Sequence, residues 1–186
     1  MSAFEFLFSL FGLMLGFSIA EIASGFSRVY DARASRPIGG LAPALAALLL
    51  LDLLTLWYAG WEYREMLPLN MVVLIGAGIV GLLYYFAATQ VFPREGSSTA
   101  PPDHMMVHRR PVIIAVIASN LILYTPAWVI SVVRHGWDIL LKPELFVGLA
   151  YLALLAIVGF SRRRGWISVA LASAIILLLV TAALGV

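Results

Sequence analysis

Two carboxylates in this chain sit where water is not expected. Asp52 interrupts Leu48-Leu49-Leu50-Leu51-Asp52-Leu53-Leu54, and Glu21 closes Gly16-Phe17-Ser18-Ile19-Ala20-Glu21. A carboxylate inside an apolar run can change protonation as a proton or cation crosses, or it can hydrogen-bond a neighbouring helix and fix the packing. Either use needs a partner, because Asp at a bilayer centre costs about 2.5–3.5 kcal/mol on insertion scales. Asn120 and Tyr124 fall at a similar fractional depth in a later apolar run and are the candidate partners of Asp52. No Lys or Arg lies at that depth, so Asp52 is expected to be neutral, hydrogen-bonded or hydrated. Ser18, Glu21, Gly25 and Arg28 share one stripe at helical spacing. Arg28 is two turns from Glu21, a stretch for direct contact, so it is expected to act through its field, with nearby headgroups helping.

The second place for chemistry is Asp103-His104-Met105-Met106-Val107-His108-Arg109-Arg110. On a helix His104 and His108 share a face at i and i+4, a spacing that lets two imidazoles ligate a transition metal, with Asp103 or Glu95 adding an oxygen. There is no HExxH motif, and Arg109 and Arg110 disfavour a neighbouring cation. No cofactor is therefore predicted, and a metal at His104 and His108 is the weaker reading. The stronger one is a membrane-surface segment whose Arg109 and Arg110 touch anionic lipid headgroups, as Arg162, Arg163 and Arg164 do in a later loop. Haem lacks a histidine in mid-span. Tyr84, Tyr85 and Trp128 are read as packing or interface aromatics in preference to quinone contacts. Gly76, Gly78 and Gly81 match GxGxxG only formally, inside an apolar run with no βαβ context. With no cysteine, disulfides, thiol catalysis and Cys-ligated metal are excluded within the chain. No catalytic residue is assigned.

The elements that must carry these residues are membrane helices. The chain has 186 residues, 62% hydrophobic and 12% charged, with mean hydropathy +0.99. A soluble domain has about 45–50% apolar and about 25% charged residues, so the excess has to face lipid. About 20 apolar residues span the roughly 30 Å of hydrocarbon. Six runs meet or approach that length: 6–26, 41–61, 70–92, 111–133, 145–160 and 166–186. The predicted fold is thus an all-α polytopic bundle of about six transmembrane helices with short loops, one domain over 1–186. The short fifth run is expected to begin with Pro143 and Glu144, which suit a helix start. The longest connection, 93–110, contains a Gly/Ser/Pro-rich stretch followed by a short helix.

Arg28, Arg33, Arg36, Arg94, Arg109, Arg110, Arg162, Arg163 and Arg164 fall in odd-numbered loops, against Arg64, Arg134 and Lys142 in even ones. The positive-inside rule then places loops 27–40, 93–110 and 161–165 in the cytoplasm and both termini outside. Trp57, Trp61 and Trp137 fall at the outer boundary and Trp166 at the inner one, as amphipathic indoles prefer. The opening Met1-Ser2-Ala3-Phe4-Glu5 lacks a positive n-region and reads as an uncleaved first helix. Small residues mark close helix contacts: Gly12 with Gly16, Gly76 with Gly78 and Gly81, and Ser168 with Ala172 and Ala174.

Three stretches carry a resemblance. Phe8-Ser9-Leu10-Phe11-Gly12-Leu13 runs on to Ala20-Glu21-Ile22. Gly81-Leu82-Leu83-Tyr84-Tyr85-Phe86-Ala87-Ala88 leads to Val91-Phe92-Pro93. Asp103-His104 precedes His108-Arg109-Arg110. In this order the chain resembles small uncharacterised bacterial inner-membrane proteins, over about its first two-thirds. The resemblance implies a bacterial inner membrane and carries no activity or substrate.

Three functions are compatible with these residues. The first is a non-catalytic membrane component, either a subunit of a larger complex or a homo-oligomeric scaffold. The alternative is a small proton- or cation-linked transporter or channel using Asp52 and Glu21. The third is a membrane redox or metal-binding protein. The expected partners are membrane lipids and further protein subunits. Nucleic acid is not expected, because the basic residues sit in short loops between apolar runs.

Overall fold

The computed structural model describes residues 3–32, 40–62, 64, 70–93, 101–137 and 142–184. Six helices follow in order: α1 (Ala3–Ala32), α2 (Leu41–Glu62), α3 (Met71–Val91), α4 (Pro101–His135), α5 (Pro143–Phe160) and α6 (Arg164–Leu184). All six contain a stretch long and apolar enough to cross a membrane, and the described residues include no strand. This is the architecture of a multi-pass membrane helix bundle. Arg33, Arg36, Arg94 and Glu95 lie outside the described residues, as do the side chains of Asp103, Arg134 and His135.

The helix ends follow local chemistry. Asn70 caps α3, its side-chain oxygen accepting from the Val73 N–H at 3.0 Å, which satisfies one of the unpaired first-turn donors. Phe92 then turns extended (φ −108°, ψ 143°), because Pro93 disfavours helical backbone in the residue before it. Gly136, at φ 81°, stops α4 and donates its N–H to Val132 O at 2.9 Å. That left-handed conformation suits glycine. Pro143 and Glu144 do form the first turn of α5.

The largest departure from expectation is α4. Residues 101–110, expected as part of a loop with a short helix, are instead the first turns of one 35-residue helix. Pro111 does not break it. A proline removes one donor and frees one carbonyl, and membrane helices tolerate this where neighbouring groups satisfy the backbone. Pro126 lies inside the same helix. The consequence is that His104, His108 and Arg109 stand on a rigid rod continuous with the helix that carries Asn120.

The packing order decides where polar groups meet. α3 packs broadly on α4 and α1, α5 on α6 and α4, and α2 on α6. α2 meets α1, α3 and α4 over shorter stretches, and it is the most enclosed of the six helices. The buried core runs through Leu45, Leu48, Leu49 and Leu53 of α2, Val80 and Tyr84 of α3, Val112, Ile113 and Val116 of α4, Leu155 of α5 and Leu171 of α6. Outward-facing residues such as Leu13, Phe17, Ile75, Leu82, Ile114, Leu149 and Val169 are large, apolar and exposed, a surface suited to lipid. Some of the small residues mark close approaches. Gly12 faces the Trp57 ring and Gly81 faces Met14, whereas Gly16, Gly76 and Gly78 have no neighbour at the position of a Cβ.

Candidate functional site

Asp52 lies on the buried face of α2, where it shares the helical spacing of Leu45, Leu48, Leu49 and Leu56. Only 4% of its surface is exposed. The neighbouring helices bring polar groups to it from their own buried stripes. On α3 the stripe Val80, Tyr84, Ala87, Ala88 and Val91 is buried, and its Tyr84 hydroxyl donates to Asp52 Oδ2 at 2.6 Å. On α4 Asn120 follows Val116 by one turn, and its Nδ2 donates to Asp52 Oδ2 at 3.3 Å and to the Tyr84 hydroxyl oxygen at 3.4 Å. The same amide donates back to Val116 O at 3.0 Å, which holds it on its own helix.

A fourth group comes from α5. Tyr151 is 6% exposed, and it lies close enough to Asp52 to interact electrostatically. Its hydroxyl is buried within reach of the carboxyl, but the geometry falls short of a completed hydrogen bond. Tyr124, one turn beyond Asn120, stands at the rim. It is 37% exposed and within electrostatic reach of Tyr84 and Tyr151.

The carboxyl therefore joins α2, α3 and α4 by hydrogen bonds, and α5 brings the Tyr151 hydroxyl alongside. In a low-dielectric interior each satisfied hydrogen bond is stronger than in water, and each unsatisfied group is costly. Asn120 is the partner expected from depth along the sequence. Tyr84 and Tyr151 were not assigned to Asp52, although a signal was present. Tyrosine prefers membrane boundaries, and these two lie well inside α3 and α5, where a buried hydroxyl needs a partner.

Glu21 is separate. Arg28 Nη2 reaches its Oε1 at 3.2 Å, a partly exposed ion pair within α1. The two residues lie about 10.5 Å apart along the axis. The contact closes because the Arg28 Cα–Cβ bond tilts toward the helix N-terminus and therefore toward Glu21. The direct pairing expected to be a stretch is thus made. Ser18, on the same stripe, donates to Met14 O at 3.3 Å.

The histidines do share a helix face, and they turn to α3. Their rings stack with centroids 4.2 Å apart and 20° between planes. His104 Nε2 lies 3.2 Å from Gln90 O, and His108 Nδ1 lies 3.2 Å from Gln90 Oε1. His104 Nδ1 is buried without a partner. Among the described residues, no group of three or more His, Cys, Asp or Glu is placed to hold a metal.

Arg109 departs from its expected place among lipid headgroups. It is buried, at 6% exposure. Its Nε donates to Val158 O at 3.2 Å, its Nη2 to Ser161 O at 2.6 Å and its Nη1 to Met106 O at 2.5 Å. The last carbonyls of α5 have no intrahelical donor and carry the negative end of the helix dipole. The forked guanidinium answers several of these acceptors at once. Arg110, Arg162, Arg163 and Arg164 are exposed.

No protein-family model, no curated protein and no solved structure matches this chain.

Proposed function

We propose that this protein is a non-catalytic component of a bacterial inner membrane, a subunit or homo-oligomeric scaffold, in which Asp52 fixes the packing of the bundle. The observation that carries this reading is the engagement of the Asp52 carboxyl by Tyr84 and Asn120 from two other helices. A carboxyl so bound is already committed to interhelical hydrogen bonds. Glu21, the other intramembrane acid, is committed to Arg28. The exposed apolar faces supply surface for lipid and further subunits. The excess of arginine in the odd-numbered loops favours a cytoplasmic position for them, with both termini periplasmic.

Gentle extraction through an affinity tag placed within 94–100, followed by mass measurement, tests this reading. A reproducible stoichiometric partner supports it, as does a homogeneous homo-oligomer that passes no protons in vesicles. Proton conduction in vesicles, by a monomer or an oligomer, overturns it.

A second reading is a proton-linked transporter centred on Asp52. The Tyr151 hydroxyl, buried within reach of that carboxyl but outside good hydrogen-bond geometry, favours it, because a second donor can serve another protonation state of the acid.

A further inference from the structure

The junction of α5 and α6 carries an open groove of about 520 Å³ lined by Ala156, Ile157, Phe160, Ser161 and Trp166. Its walls are apolar apart from Ser161, and Phe160 and Trp166 are more than half exposed. The groove ends at a turn whose next residues are Arg162 and Arg163. Both are exposed, and neither guanidinium has a partner among the described residues.

That turn is held from inside. Arg109 Nη2 donates to Ser161 O at 2.6 Å, the Ser161 N–H donates to Ile157 O at 3.0 Å, and the Arg163 N–H donates to Ser161 Oγ at 3.3 Å. The backbone that presents the two arginines is therefore fixed while their side chains stay available. The first N–H groups of α6 open toward the same turn and add partial positive charge. A shallow apolar groove that borders a turn bearing two exposed arginines is complementary to an amphiphile with an acidic head. A neutral apolar ligand would leave the cations unused, and a free anion would leave the groove unused.

We propose that this groove binds an anionic phospholipid, with its phosphate at Arg162 and Arg163 and one acyl chain along Ile157, Phe160 and Trp166. The site is independent of the reading given to Asp52. It differs from general headgroup contact because it couples charge to one defined acyl position, against the Trp166 ring.

The test uses the full chain in phosphatidylcholine nanodiscs that contain a minor portion of brominated-chain lipid, which quenches nearby tryptophan. The Trp166 contribution is the difference between wild type and Trp166→Phe. Brominated phosphatidylglycerol is expected to quench Trp166 several-fold more than brominated phosphatidylcholine at the same proportion. Arg162→Gln/Arg163→Gln is expected to bring the two lipids to equal quenching, and inorganic phosphate is expected to leave the preference intact. Both arginines lie on an exposed turn, and unchanged helical circular dichroism verifies folding. Equal quenching by the two lipids in wild type overturns the proposal. So does a preference that survives the double arginine change. Loss of the preference on adding inorganic phosphate would assign the arginines to a free anion and overturn the lipid.

Discussion

The Tyr84 hydroxyl donates to Asp52 Oδ2 at 2.6 Å, across the interface of α2 and α3. These helices share only a short contact, since α2 packs chiefly on α6, and α3 on α4 and α1. The bond therefore joins parts of the bundle that apolar packing joins weakly. Interhelical hydrogen bonds in membranes average about 0.6 kcal/mol and reach about 1.7 kcal/mol. Tyr84→Phe keeps the ring and removes the donor, so it is expected to destabilise the folded bundle by about 0.6–1.7 kcal/mol. Reversible unfolding in mixed detergent micelles measures this. A variant as stable as wild type would remove the bond from the account.

Tyr151 gives the opposite sign. Its buried hydroxyl completes no hydrogen bond, and an unsatisfied buried polar group carries a penalty of about 1–3 kcal/mol. Tyr151→Phe is expected to leave stability unchanged or raise it in the same unfolding assay. A loss equal to that of Tyr84→Phe would mean that Tyr151 makes a bond of equal worth, contrary to this geometry.

Arg109 and Arg110 are neighbours in sequence with different roles. Arg109 spends three donors on carbonyls at the end of α5 and within α4, and a hydrogen bond involving a charged group is worth about 1.5–3 kcal/mol. Arg109→Gln is expected to lower stability by at least about 1.5 kcal/mol. Arg110→Gln, on the exposed side, is expected to stay within about 0.5 kcal/mol of wild type. Equal effects from the two changes would contradict the inward position of Arg109.

The histidine pair yields a binding prediction. Each ring has one nitrogen engaged with Gln90, and the described residues supply no third ligand. Equilibrium dialysis with Zn²⁺ is expected to give the same bound metal for wild type and for His104→Ala/His108→Ala. One additional equivalent in wild type would restore the metal reading.

The spans were legible because hydrocarbon thickness dictates length. Expected and observed boundaries of α2 and α3 agree to within one residue, and Pro143 with Glu144 marked the start of α5. Asn120 was legible from its depth. Tyr84 and Tyr151 were not assigned to Asp52 because membrane helices are apolar on both faces. Residue periodicity then says little about which face turns inward or which helix it meets. The same gap concealed Arg109. Its neighbours suggest a lipid-facing basic cluster, and only the placement of α5 beside α4 supplies the carbonyls that draw it in. The extent of α4 was not legible because Pro101 and Pro102 are turn signals in a loop and Pro111 suits a helix start, whereas all three are tolerated within one membrane helix.

Proton flux tests the assignment of Asp52 to packing most directly. Wild type and Asp52→Asn, each verified as folded, would be reconstituted into vesicles under an imposed pH gradient and potential, with an internal pH dye as the readout. The same flux is expected for both, equal to that of protein-free vesicles. Flux above that background in wild type, abolished by Asp52→Asn, would contradict it and make the carboxyl a proton carrier.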